Sequence, residues 1–126
     1  MLGSADIVAF VPTKNPDKAR QFYEKTLGLK FIADDKFALV FEAKGVMIRV
    51  VNISGIPDYK PPPFTILGWN VGDIAKAAKA LQGKGVKLER YPGLEQDELG
   101  VWSAPGGAKV AWFKDPDGNT LSLSQH

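Results

Sequence analysis

The chain lacks cysteine, and its 126 residues include a single histidine, His126, at the last position. Without cysteine it can form no disulfide framework, no cysteine-ligated zinc site and no thiol nucleophile. A lone imidazole at a chain end, where backbones usually fray, is a poor base or metal ligand. No apolar run reaches the ~18 residues that a membrane-spanning helix needs. These absences exclude several catalytic classes and predict no membrane partner.

The chain also has no large excess of either positive or negative charge. The formal net charge is +2 at pH 7, and the densest charged stretch, 89–98, mixes both signs. Such a stretch is typical of a solvated loop, so we expect no nucleic acid partner. The first residues lack a basic segment, and their apolar run covers only Ile7 to Val11. This does not match a secretory signal and, with the lack of cysteine, predicts a cytoplasmic protein.

The first half of the chain reads as a strand, a helix and three more strands. Ile7 to Val11 is a short β-rich run that ends at Pro12. Asn15 is a good helix N-cap with Pro16 in the first helical position, and Gly28 supplies a left-handed stop. The three strands that follow are predicted at Leu29–Ala33, Phe37–Glu42 and Val46–Ile53.

Residues 54–63 contain four of the nine prolines and predict a stiff connector, because no central strand tolerates that composition. The second half then repeats the plan, with a helix capped by Asp73. Its strands are predicted at Phe64–Val71, Val86–Tyr91, Leu99–Ser103, Lys109–Lys114 and Thr120–Ser124. Neither half has enough apolar surface to stand alone. We therefore expect one domain over 1–126, with module one at 5–53 and module two at 64–124.

Three segments resemble the vicinal-oxygen-chelate family, which includes glyoxalases, bleomycin resistance proteins and extradiol dioxygenases. They are Lys18–Leu29 with its Phe-Tyr and Leu-Gly pairs, Ile66–Asp73, and the turn Asp115–Asn119. The resemblance implies an α+β fold in which two tandem βαβββ modules form curved mixed sheets around a cavity. It also implies a homodimer.

In the metalloenzymes of this family, four positions inside the cavity carry the metal ligands. The resemblance places them at Val8 (or Asp6), Arg49, Ile66 and Ser122. Valine and isoleucine cannot ligate a metal, arginine repels one, and a serine hydroxyl is a poor neutral ligand. We therefore expect no metal and no other cofactor. No spacing of other residues marks a dyad or triad, so we predict no catalytic residue.

Six residues are candidate ligand-binding residues: Phe10, Arg49, Asn70, Trp102, Trp112 and Ser122. Arg49, in an apolar strand, would clamp a carboxylate or phosphate, or else form an internal salt bridge or lie at an exposed edge. Phe10 is either a cavity wall or a core residue. Strand alternation places Trp69 on the helix side and leaves Trp112 open. Trp102 is the better candidate for a cavity wall, because polar and small residues such as Gly100 and Ser103 flank it.

The sequence thus predicts a metal-independent small-molecule binding protein of this family, one that sequesters an aromatic or anionic compound. One alternative is a glyoxalase-type lyase, isomerase or dioxygenase whose metal ligands lie at other positions. The other is an interaction module whose cavity is filled by its own side chains. Asp115 and Asp117 look like a catalytic pair, but Asp-Pro-Asp-Gly is first of all turn chemistry.

Overall fold

The computed structural model describes residues 1–126 as two compact units, Met1–Lys60 and Pro61–His126. Each unit contains a four-stranded mixed sheet and follows the order βαβββ. The predicted α+β fold with two such modules is confirmed. The units divide inside the range 54–63, and the grouping of both into one domain stays a prediction.

The first unit contains β1 (Val8–Thr13), α1 (Pro16–Arg20), β2 (Lys30–Asp34), β3 (Ala38–Ala43) and β4 (Val46–Asn52). The sheet order is β1-β4-β3-β2, with β1 parallel to β4 and the other neighbours antiparallel. β1 runs through Pro12, where the prediction ended it. Because β1 is an edge strand, the missing proline N–H costs the sheet no central hydrogen bond.

The helix of the first unit begins as predicted. Lys18 N donates to the Asn15 side chain at 3.2 Å, and Pro16 takes the first helical position. Beyond Arg20 the helix widens into a π-helical stretch, Gln21–Thr26, in which Leu27 N donates five residues back to Phe22 O. Gly28, at φ +75°, then ends it.

The second unit contains β5 (Thr65–Asn70), α2 (Ile74–Gly83), β6 (Trp102–Ser103), β7 (Lys109–Lys114) and β8 (Thr120–Gln125). The sheet order is β5-β8-β7-β6, and β5 runs parallel to β8. Asp73 caps α2 by accepting from Lys76 N at 3.1 Å, as predicted. The Asp115–Gly118 segment is a turn: Gly118 N donates to Asp115 O at 3.0 Å, with Gly118 at φ +84°.

The predicted strand Val86–Tyr91 is wrong, and the predicted strand Leu99–Ser103 shortens to β6. Within Val86–Tyr91 only Leu88 makes a β-bridge, to Phe113, and Glu89 N donates to Trp112 O at 2.8 Å. Gln96 makes a further bridge, to Trp102. The Gln96 side chain occupies the place of a neighbouring strand: it accepts from Tyr91 N at 2.8 Å and donates to Glu89 O at 2.9 Å. A side-chain amide that satisfies the backbone in this way removes the need for a regular ladder.

In each unit, one face of the sheet packs against its own helix. The first core includes Val11, Tyr23, Phe41 and Val50, and the second includes Ala78, Ala111, Phe113 and Leu121. The other face of the first sheet exposes Val8, Phe10 and Met47 by 40%, 62% and 43%. None of the helices combines the length and apolar character that a membrane crossing requires.

Candidate functional site

The residues at the four expected metal positions do not fit a divalent cation. Arg49 donates from Nη2 to Asp35 Oδ2 at 2.7 Å, so the carboxylate nearest that position is already neutralised by a cation of the protein. Val8 and Ile66 offer no donor atom, and Ser122 offers one neutral hydroxyl. If Asp6 takes the place of Val8, the set holds one carboxylate and one hydroxyl, which is too few for a tight site. Nowhere in residues 1–126 do three or more histidine, aspartate or glutamate side chains group as a metal site requires.

Arg49 forms an ion pair with Asp35, and the same Asp35 carboxylate stabilises the turn before β3. The second oxygen of Asp35, Oδ1, accepts from Phe37 N at 3.0 Å and from Ala38 N at 2.8 Å. The hydrogen bond from Arg49, followed by that from Ala38 N, holds the pKa of Asp35 below its usual value. Of the roles open to Arg49 from the sequence, the structure displays the internal salt bridge. A further role in ligand binding stays a prediction.

Phe10 lies beside Arg49 on the sheet face that points away from α1. The two residues are partners across β1 and β4, and side chains at paired positions share a face. With 62% of its surface exposed, Phe10 is not a core residue. A pocket of about 370 Å³ opens near the start of β1, but neither Phe10 nor Arg49 lines it.

The second unit gathers three aromatic side chains, Tyr91, Trp102 and Trp112. The Trp102 and Trp112 rings lie 6.1 Å apart, and Tyr91 meets Trp112 edge-on at 5.4 Å and 87°. Trp112 is the cross-strand partner of Ser122, so both lie on the same face. The structure thus places Trp112, open from the sequence, on the face of Ser122. Trp69 points to the helix side and stacks on buried Phe113.

This cluster borders a pocket of about 360 Å³, called here the aromatic pocket. It is lined by Pro63, Phe64, Thr65, Tyr91, Trp112 and Thr120, with no charged side chain. Tyr91 and Phe64 were missed from the sequence. Tyr91 reaches Trp112 from a segment without regular strand structure, and its only sequence signal is its aromatic character.

Ser122 sits directly over a glycine. A Cβ atom added at Gly68 would lie 2.7 Å from Ser122 Oγ, which is shorter than a normal van der Waals contact. Any residue other than glycine at position 68 would therefore displace the Ser122 hydroxyl. Asn70, two residues further along β5, is exposed and pairs with Ser124. The second unit therefore brings Trp102, Trp112 and Ser122 together, with Asn70 further along. Phe10 and Arg49 belong to the first unit.

The hydroxyl of Tyr91 is held in its protonated form. Burial raises the pKa of Tyr91, and the negative charge of Glu89 raises it further. The cation nearest to Glu89 is Lys114, whose Nζ lies 4.0 Å from Glu89 Oε1. The phenol is thus protonated at neutral pH, and Tyr91 is one of the residues that line the aromatic pocket.

Two βαβββ units, each with its own four-stranded mixed sheet, define the class: a small α+β protein built of tandem modules. The model of the Glyoxalase/Bleomycin resistance protein/Dioxygenase superfamily matches residues 5–123. The chain therefore belongs to that superfamily, as its motifs indicated.

Curated proteins are also similar to this chain in sequence. A probable lactoylglutathione lyase from Vibrio cholerae is 26% identical over 121 residues, which cover 87% of this chain and 82% of the relative. The chain spans only 40% of the length of two plant relatives, from Brassica oleracea and Arabidopsis thaliana.

Among solved structures, a superfamily member from Sphaerobacter thermophilus shares the fold, with a TM-score of 0.77, 22% identity and full coverage of both chains. TnmS3, an antibiotic binding protein from Streptomyces sp. CB03234, has a TM-score of 0.74 and is 26% identical. That match covers 99% of this chain and 98% of TnmS3.

Proposed function

We propose that this chain is a metal-independent small-molecule binding protein that holds an aromatic compound in the aromatic pocket. The observation that supports this proposal most strongly is the edge-on pair of Tyr91 and Trp112, which lines a pocket of about 360 Å³. Ligand pockets of proteins are commonly ~300–1,000 Å³ and lined by aromatic side chains with few polar groups. The aromatic pocket has these properties.

Of the two ligand classes that the sequence allows, the aromatic one has the stronger support. An anionic ligand would need an unpaired cation, and the guanidinium of Arg49 is already bound to Asp35. Arg49 also lies outside the residues that line the aromatic pocket. Binding of a small molecule is in line with TnmS3, an antibiotic binding protein that resembles this chain over nearly its whole length.

A lyase activity is the second candidate, because the Vibrio relative carries that name. The donor set argues against it, since valine, arginine, isoleucine and serine occupy the positions where the family's metalloenzymes hold their metal. We further propose a homodimer, because the first sheet exposes Val8, Phe10, Ile32 and Met47 on one face. Contiguous apolar surface of this kind marks interaction sites.

Titration with N-phenyl-1-naphthylamine, an uncharged probe whose fluorescence rises in apolar sites, tests the binding proposal. We expect saturable binding to the wild-type protein and about tenfold weaker binding to Trp112→Ala, since one stacking partner is lost. The matched control is Trp69→Phe, which changes a tryptophan on the other face of the same sheet. Equal binding by Trp112→Ala, or no saturable binding by the wild type, would contradict the proposal.

A further inference from the structure

We propose that the aromatic pocket selects uncharged aromatic ligands that carry a hydrogen-bond-accepting oxygen, and that the hydroxyl of Tyr91 is the specificity-determining donor. The inference rests on the proposed function, because it names the ligand class of the same pocket. It assigns to Tyr91 a role that the stacking of Tyr91 on Trp112 does not by itself require.

The pocket offers hydrogen-bond donors that the protein does not use. The Tyr91 hydroxyl and the indole N–H of Trp112 make no hydrogen bond within the chain, whereas every buried polar side-chain atom has a partner. These two groups are therefore accessible, in residues that line the pocket. An indole N–H only donates, and a protonated phenol donates readily. A ligand that enters must supply acceptors or leave these donors desolvated and unpaired, which costs binding free energy.

Few acceptors face these donors from the other lining side chains. Proline and phenylalanine carry no polar side-chain atom, so the hydroxyls of Thr65 and Thr120 are the only others. An aliphatic hydroxyl rotates to donate or to accept and imposes no fixed preference. A phenol hydroxyl, such as that of Tyr91, is a stronger donor and a weaker acceptor, because its oxygen lone pair is delocalised into the ring. The lining side chains thus favour a ligand with accepting oxygen atoms over one with only N–H or O–H groups.

The charge of the pocket favours an uncharged ligand. No lysine, arginine, aspartate or glutamate lines it, so a charged group would lose its hydration without gaining a partner. The nearby carboxylate of Glu89, which raises the pKa of Tyr91, would also repel an anion. Its closest cation, Lys114, has a half-exposed side chain and lies outside the lining.

The backbone and the ring of Tyr91 are held by the protein before a ligand arrives. Gln96 accepts from Tyr91 N at 2.8 Å and donates to Gly100 O at 2.8 Å, which ties the backbone of Tyr91 to the segment before β6. The ring of Tyr91 is held edge-on against Trp112. A donor that is positioned in advance discriminates better, because little conformational freedom is lost on binding.

A matched pair of probes tests the inference: 2-acetylnaphthalene, which carries a carbonyl acceptor, and 2-ethylnaphthalene, which has the same ring system and nearly the same size. We expect the ketone to bind the wild-type protein about fivefold more tightly, the usual gain from one neutral hydrogen bond. Tyr91→Phe should abolish this preference while binding of the hydrocarbon stays within about twofold. Tyr59→Phe, which removes a phenol from the first unit, should keep the full preference.

The outcomes separate the two proposals. If both naphthalenes bind equally, if Tyr91→Phe keeps the preference for the ketone, or if 2-naphthoate binds as tightly as the ketone, the donor role of Tyr91 is wrong and the binding function stands. If neither naphthalene binds, or if Trp112→Ala binds both as the wild type does, the proposed function fails, and the inference fails with it.

Discussion

The Asp35 carboxylate holds three partners at the same time, two backbone N–H groups and one side chain. One carboxylate oxygen receives the backbone N–H groups of Phe37 and Ala38, and the other receives Arg49. Between them, Lys36 holds a left-handed backbone conformation at φ +75°, which is uncommon for a residue with a side chain. The carboxylate therefore stabilises a turn that the backbone alone would disfavour, and it occupies the charge of Arg49 at the same time.

The charge of Asp35 makes a prediction about pH. Because the folded-state pKa lies below the unfolded value of 3.8, the ionised carboxylate stabilises the fold above that pH, and the stabilisation is lost as the pH falls through the folded-state pKa. We expect Asp35→Asn to lower the urea midpoint at pH 7, and the difference from the wild type to shrink toward zero at about pH 2.

The control for this prediction is Asp58→Asn, which removes an exposed carboxylate from the same unit and should leave the midpoint unchanged at both pH values. A difference for Asp35→Asn that is as large in acid as at neutral pH would show that the amide disturbs the turn and that charge is not the cause.

At the scale of elements, the segment from Val86 to Val101 joins its neighbours through two isolated β-bridges, Leu88–Phe113 and Gln96–Trp102, and side chains add much of its order. Asp97 Oδ1 accepts from Leu99 N and Val101 N, both at 2.9 Å. Arg90 donates to Asp97 O at 2.7 Å. Segments of this kind open locally at lower free energy than core strands. The wall residue Tyr91 is thus carried by an element whose order depends on a few polar groups.

Gln96 should be the most sensitive position in this segment. Gln96→Leu removes the hydrogen bonds to Glu89, Tyr91 and Gly100 at nearly constant volume. We expect the free energy of unfolding to fall by about 1–3 kcal/mol, because partly buried backbone groups lose their partners. The amide proton of Tyr91 should exchange faster, and the near-ultraviolet circular dichroism of the Tyr91–Trp112 pair should weaken.

Glu95→Ala, a change at the exposed neighbouring residue, is the matched control and should alter none of these properties. Protection of the Tyr91 amide that survives in Gln96→Leu would show that other contacts order the segment.

At the scale of the whole molecule, the chain keeps the superfamily's two sheets while the positions expected to hold a metal carry residues that cannot. Arg49 is the strongest example. Its guanidinium, held 2.7 Å from the Asp35 carboxylate, is positively charged and would repel a divalent cation. The two sheets are thus kept while the residue types at these positions differ, in line with the general rule that function depends on sites and not on folds.

Metal content gives the corresponding test. We expect the untagged protein, purified without chelator, to carry far less than one divalent ion per chain in native mass spectrometry. A bound ion would stabilise the folded state, and EDTA would remove that stabilisation. Because we expect no bound ion, the melting temperature should not change when EDTA is added. A stoichiometric ion, or a melting temperature that falls in EDTA, would contradict metal independence and favour a lyase. The same spectra report whether the protein is a dimer.

Local chemistry explains what the sequence by itself determined. The caps at Asn15 and Asp73 and the glycine stop at Gly28 depend on residues within one turn of each other, so short-range preferences suffice to predict them. The family motifs likewise lie in continuous segments. The lack of metal-ligating side chains at the expected positions follows from residue type alone.

Only the tertiary structure decided which side chains meet. Arg49 contacts Asp35, 14 residues away in the sequence, because the register of the first sheet brings the two together. Trp112 shares a face with Ser122 because β7 and β8 pair in one register, and a shift of one residue would reverse it. Tyr91 reaches Trp112 from an irregular segment that the Leu88–Phe113 bridge joins to β7 and that the Gln96 side chain holds at the Tyr91 backbone. Such contacts depend on non-local pairing, which no short stretch of sequence specifies.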